Sequence, residues 1–342
     1  MGFTFVRVFA WLAALPYALV LVLVVTGGTT WSAVAYVLAL GMVLAGLMTL
    51  PFPEQPFRRR RGLTRLGLAG LVVVAIVRIL TVGHDTTMVV TDGNGASARW
   101  LSRVVDESDV AINASRALFA LGVLHDDAGE VSSAMRVEYA RMHREHGAVA
   151  SPFLATHLGV ESPTAFDLVV IEPPTPVQGA VVFLHGTGGN FELPCWQVAR
   201  AVASLGFATA CPSTRWIADW GSENGEATLR RTMALLRARG IERFVLAGLS
   251  AGGYGASELA PRMKDFVGLV LVSGATAEAP SAGVPTLVIQ GRDDTMVPAT
   301  APAAYAQLNG ARYVEVDAGH FALLVRSELV EREIRDFIAQ LP

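Results

Sequence analysis

The chain has 342 residues, more than one average domain, with 52% hydrophobic residues and a mean hydropathy of +0.44, too apolar for a plain soluble enzyme. Its 27 basic against 30 acidic residues leave a net charge of −3. No basic stretch is interleaved with aromatics, which argues against nucleic acid as a partner.

The lipid signal is N-terminal. Val8 to Val25 and Trp31 to Leu50 carry no charged residue, and each approaches the ~20 residues that cross a bilayer as a helix. Pro16 falls inside the first, where membrane helices tolerate it if neighbours restore the lost backbone bonding. A third run, Leu66 to Val82, is interrupted by Arg78 near its end, whose guanidinium is expected to snorkel to the interface. A cleavable signal peptide competes for the first run, but its charged n-region would be Arg7 alone and a second apolar stretch follows at once. Arg58 to Arg61, with Arg65 beyond, stays cytoplasmic by the positive-inside rule. With three spans, everything after Val82 lies outside the cell membrane; if the third run does not cross, it lies inside. The runs hold no intramembrane acid, so anchoring is a better account of them than transport.

Between this anchor, residues 1–82, and a C-terminal α/β region, 165–342, a helical region of 83–164 is expected. Thr91 to Gly95 reads as a turn, and helices are expected over about Ser108 to Leu124 and Ser132 to His146. His125, Asp126, Asp127, His143 and His146 match no zinc spacing, so no metal is assigned.

From residue 165 onward, short apolar runs alternate with helical patterns. Strands are expected at Asp167–Ile171, Ala180–Leu184, Phe207–Cys211, Phe244–Ala247, Gly268–Ser273, Thr286–Gln290 and Tyr313–Val316, and helices at Trp196–Leu205 and Ala227–Gly240. The fourth apolar run feeds into Gly248-Leu249-Ser250-Ala251-Gly252, a strand, a tight turn and a helix with a serine at the apex. Glycines flank such a serine because the helix must pass close beneath it. Downstream, one strand ends in Gly291-Arg292-Asp293-Asp294 and the last in Asp317-Ala318-Gly319-His320. Serine, acid and histidine thus occur in that order, each just past a strand.

On these residues the last half of the chain resembles the α/β-hydrolase superfamily, of the serine-esterase and dienelactone-hydrolase-like kind. The resemblance implies an α/β-hydrolase fold, a mostly parallel central sheet flanked by helices, here preceded by the helical region and three transmembrane helices. It makes Ser250 the nucleophile, His320 the general base and Asp294 the orienting acid. Asp293 is the rival acid, but Gly291, Asp294, Val297 and Pro298 meet the family's Gly-x-x-Asp-x-x-Val-Pro spacing. The amides of Ala251 and, in the turn His185-Gly186-Thr187, of Thr187 would form the oxyanion hole, worth about 3 kcal/mol per donor. His185 reads as a structural loop residue.

Gly186, Trp216 and Trp220 are candidate pocket residues, with Glu223 and Asn224 near enough to meet a polar substrate. About a dozen residues separate the fifth and sixth of these strands, so no lid is expected there. Cys195 and Cys211 are free to pair in an oxidising compartment or to stay as buried thiols. The implied function is a membrane-anchored serine hydrolase acting on a small-molecule or lipid-like ester without metal or organic cofactor. Acyl transfer, peptide cleavage and a non-catalytic binding role on the same fold are the alternatives.

Overall fold

The computed structural model of the protein describes residues 2–27, 29–48, 57–83, 88–92, 99–125 and 130–342. The linker at 51–56, the turn residues 93–95 and the pair Asp126 and Asp127 lie outside them. The chain divides into two compact units, one of residues 1–82 and 103–124, the other of 83–102 and 125–342. The interval 83–164 is therefore not a region of its own. Its first helix belongs with the N-terminal helices and the rest with the sheet.

The first unit holds α1 (Gly2–Gly27), α2 (Trp31–Met48), α3 (Phe57–Thr81) and α4 (Glu107–Ala120). Among the described residues two segments suffice by length and composition to cross a bilayer, Trp31–Met48 and Gly62–Thr81, while the apolar stretch of α1, Trp11–Gly27, is shorter. Leu15, Val25, Val72, Val73 and Leu80 are among the large apolar side chains left exposed along these helices. Such contiguous apolar surface is unusual on a water-soluble face. Pro16 stays within α1. Helices α2 and α3 approach closely at Gly67, where a Cβ would lie 2.5 Å from the Ala39 carbonyl oxygen.

Arg78 does not snorkel. It is 3% exposed, pairs with Asp106 at 3.4 Å, and donates to Ser32 Oγ at 3.2 Å and the Arg103 carbonyl at 3.1 Å. Asp106 is also the N-cap of α4, accepting from the Ser108 amide. One turn on, Asp109 accepts from the amide and hydroxyl of Thr30. The arginine has counter-charges supplied by α4, so a buried position costs less than it would for a lone cation.

The second unit is built on eight strands: β1 (Met88–Asp92), β2 (Asp167–Ile171), β3 (Gly179–Leu184), β4 (Phe207–Pro212), β5 (Phe244–Leu249), β6 (Phe266–Val272), β7 (Thr286–Gly291) and β8 (Arg312–Val316). Their order is β1-β2-β4-β3-β5-β6-β7-β8, with β2 antiparallel to both its neighbours and every other pair parallel. Seven strands therefore run one way and β2 alone runs against them, a mostly parallel sheet flanked by helices. The strands from β2 to β7 read as near-continuous apolar runs because both faces of the sheet are covered.

One face packs alternate residues such as Val182, Leu184, Leu246 and Leu271 against Trp220, Leu229, Met233, Ala256 and Tyr305. These side chains come from the loop after β4, from α8 (Glu223–Ala238), α9 (Ala251–Leu259) and α10 (Thr300–Asn309). On the other face α7 (Glu192–Val202) is tied to β4 by a disulfide between Cys195 and Cys211, whose Cα atoms are 6.2 Å apart. Helix α7 packs there with α5 (Glu130–His146), α11 (Ala322–Val325) and the amphipathic α12 (Ser327–Ile338). Arg200 joins three of these helices, pairing with Glu138 at 3.0 Å and Glu331 at 2.5 Å. This core fixes the carboxyl ends of the strands, where loops in open α/β sheets meet ligands.

Candidate active site

Ser250 sits between β5 and α9 with φ 54° and ψ −118°, a conformation that costs a non-glycine residue about 1–3 kcal/mol. Its surroundings compel the strain. A Cβ on Gly248 would lie 2.2 Å from the Gly252 carbonyl oxygen, and one on Gly252 would lie 2.0 Å from that of Leu184. No side chain fits at either position, so the glycines of the motif let α9 pass directly under the turn. The Ser250 amide donates to the Val272 carbonyl. The serine side chain is left at the rim of the sheet, partly exposed.

The other two residues arrive from neighbouring strand ends. His320, four residues past β8, has its Nε2 3.0 Å from Ser250 Oγ and its Nδ1 2.8 Å from Asp294 Oδ2. A carboxylate only accepts, so the proton is on Nδ1, and Nε2 is the acceptor for the serine hydroxyl. Asp294 follows β7. Its Oδ1 accepts from the amides of Met296 and Val297 at 2.9 and 2.8 Å. Burial pushes this carboxyl up, but the hydrogen bonds from His320 and the two amides outweigh that, and it lies below the ordinary carboxylate range. The rival Asp293 is exposed and takes no part.

One support was not foreseen from the sequence. Gln290, the penultimate residue of β7, donates to Asp294 Oδ2 at 2.8 Å and to the Val297 carbonyl at 3.0 Å, closing the loop that carries the acid. Its only sequence signal is a buried amide four residues before that acid.

The turn after β3 lies against the serine. A Cβ on Gly186 would stand 3.8 Å from Ser250 Oγ. Among the described residues the amides of Thr187 and Ala251 have no protein hydrogen-bond partner. Ala251 opens α9, so its N–H is one of the free donors at a helix start. His185 is buried within this turn. Its Nδ1–H donates to the Gly186 carbonyl at 2.8 Å and its Nε2 accepts from the Thr214 amide at 3.1 Å. Burial lowers its pKa to about 4, so it is a neutral spacer.

Trp220 is displaced from the pocket role assigned above. It is fully buried, its indole N–H donates to the His185 carbonyl at 2.9 Å, and its ring stands edge-on to the His185 imidazole. A Cβ on Gly255 would strike Trp220 Cβ at 2.2 Å, so the indole is wedged against α9 beneath the site. Trp216 is half exposed, and its carbonyl accepts from the Gly188 amide at 2.8 Å, which leaves its ring at the rim of the turn. Glu223 and Asn224 are exposed on the first turn of α8.

The segment before the sheet also reaches the site. Helix α6 (Phe153–His157) backs the turn after β3: a Cβ on Gly189 would meet Thr156 Oγ1 at 2.5 Å and His157 Cε1 at 3.2 Å. The Phe153 ring lies 5.1 Å from that of Phe191. The link joins a short helix to a loop through tertiary packing, and no local sequence pattern announces it. Among the described residues no group of three histidine, cysteine or acidic side chains could hold a metal.

No family model and no curated protein matches the sequence. Solved structures similar to part of the chain include an esterase from Pyrococcus furiosus, 14% identical, covering 52% of this chain and 88% of its own, with a TM-score of 0.44. A thermophilic esterase from Thermogutta terrifontis is 18% identical over 53% of this chain and 96% of its own, with a TM-score of 0.43. A serine hydrolase without lid from Xanthomonas campestris is 21% identical over 52% and 91%, with a TM-score of 0.42.

Proposed function

We propose that the protein is a membrane-anchored serine hydrolase that cleaves carboxylic esters through Ser250, His320 and Asp294. The observation that carries this reading is the unbroken relay of 3.0 and 2.8 Å from serine to imidazole to carboxylate, at the apex of a strained turn. In this reading His320 Nε2 takes the hydroxyl proton as Ser250 Oγ attacks the ester carbonyl. Asp294 holds the Nδ1–H tautomer and balances the imidazolium that forms. The unpaired amides of Thr187 and Ala251 receive the oxyanion. His320 then protonates the departing alcohol, and a water, deprotonated by the same imidazole, releases the acid from the acyl-enzyme.

The short β6–β7 connection and the partial exposure of Ser250 favour water as the acceptor over a second alcohol. Helices α2 and α3, with α1 beside them, would serve as the anchor, and the arginines at the start of α3 would stay on the cytoplasmic side. The Cys195–Cys211 disulfide argues for an oxidising compartment, and hence for a catalytic unit outside the cell membrane. Ser250→Ala is expected to lower kcat for a simple ester by about 10⁶. Activity within about tenfold of the parent would remove the serine from the mechanism.

A further inference from the structure

Next to the turn after β3, at the carboxyl end of β4, the second unit holds a cleft of about 180 Å³ whose lining includes Glu161, Pro163, Thr214, Arg215, Asp219 and Asn224. None of the three relay residues lines it. It is nonetheless joined to the site through short links: Thr214 donates its amide to His185, and Trp216 accepts from Gly188. In the sheet β4 and β5 are both neighbours of β3, so at the ~4.8 Å spacing of strands the cleft stands about 10 Å from the turn that carries Ser250. A substrate with its carbonyl at Ser250 reaches it only with its far end.

The lining says what that end is. Its walls are about as apolar as they are polar, and they carry little free charge. Arg215 is already paired with Asp219 at 2.5 Å, and the second Asp219 oxygen accepts from Thr214 Oγ1 at 2.8 Å. The Glu161 carboxyl accepts from the Asp167 amide at 3.0 Å and stands 3.9 Å from Arg99, and burial, reinforced by Asp167 and opposed by Arg99, pushes its pKa up to about 8. Asn224, by contrast, is exposed at the mouth and its amide has no protein partner among the described residues. It offers both a donor and an acceptor. A charged group would find its counter-ions here already paired, and a wholly alkyl group would leave the polar half of the walls unbonded. A ring with hydroxyls on its edge and C–H groups on its faces satisfies both demands.

The volume equals about six waters' share of liquid, enough for the far edge of a ring bearing several hydroxyls. A ring esterified at one end carries its far hydroxyls further from the ester carbonyl than a three-carbon glycerol does.

We infer that this cleft is a subsite for the sugar-like alcohol half of the ester, with Asn224 as its specificity residue. The inference rests on the hydrolase reading above.

The test compares, for parent, Asn224→Ala and Asn224→Trp, the ratio of kcat/KM for an acetylated methyl glucoside to that for ethyl acetate. The same three proteins are titrated with methyl glucoside by saturation-transfer NMR. One hydrogen bond to a hydroxyl is worth up to about tenfold in binding, so both variants are expected to lower the ratio about tenfold. They are also expected to weaken the glucoside signal. If ethyl acetate is cleaved but the ratio stays within twofold in both variants, the subsite is refuted while the hydrolase reading stands. If no ester is cleaved, the hydrolase reading fails, and the titration decides the cleft: glucoside saturation lost in Asn224→Trp upholds it, and no saturation in the parent overturns it.

Discussion

Burial shifts the titration of two side chains of the sheet unit, and in one of them it makes stability depend on pH. The ordinary value of Glu161, 4.5, is pushed up to about 8 by burial and by the neighbouring Asp167 carboxyl, with Arg99 opposing. Between those values the unfolded chain has released a proton that the folded chain keeps. Stability therefore falls as pH rises through this window, by up to about 1.4 kcal/mol per pH unit. Glu161→Gln keeps a carbonyl for the Asp167 amide and removes the titration. Thermal melts at pH 5 and pH 8 should show the parent losing more stability than the variant; parallel losses would contradict the protonated, buried acid. His185, held neutral by burial, is silent across the same range because its pKa is about 4.

At this scale the sequence was readable where chemistry is local. Ser250, Asp294 and His320 each follow a strand closely, and a strand end determines where the next few side chains emerge. Trp220 and Arg78 were misread because their surroundings come from elsewhere in the chain. The indole finds its acceptor on the β3 turn, and the guanidinium finds its carboxylate on α4.

Among the elements, the disulfide and the arginine pair each hold one unit together, in different ways. Cys195 and Cys211 close a loop with a sequence separation of 16 between α7 and β4. A loop of that size, once cross-linked, restricts the unfolded chain by about 3 kcal/mol. Cys195→Ala with Cys211→Ala should therefore lower the denaturant-derived stability of the sheet unit by about 2–4 kcal/mol. An unchanged midpoint would mean that the bond is not formed in the folded protein.

Arg78 and Asp106 are both buried. Arg78→Met leaves a buried carboxylate uncompensated and should cost about 3–5 kcal/mol, read as a lower melting temperature in detergent. Adding Asp106→Asn, which keeps an N-cap for α4, should recover much of that loss. A single variant as stable as the parent would show the pair to be idle. The strands from β2 onward were legible as apolar runs. Strand β1, helix α6 and the docking of α4 were not, since five residues of edge strand or one short helix carry too little periodicity to stand out.

At the scale of the whole molecule, two units of opposite surface chemistry share one chain. The first exposes leucine and valine along helices long enough to cross a bilayer. The second buries its apolar residues in a doubly covered sheet and carries the relay. The two halves were separable from composition alone, because lipid and water impose different rules on an exposed surface. The boundary between them was not, since Arg103–Leu124 returns to the helical unit after the first strand.

Labelling of sealed membrane vesicles of known orientation with a fluorophosphonate that traps activated serines tests the central claim most directly, comparing the parent with Ser250→Ala. The account predicts labelling of the parent from the extracytoplasmic side before lysis, and none of Ser250→Ala. A folded parent that stays unlabelled even after lysis, or a Ser250→Ala protein that labels as well as the parent, would contradict it.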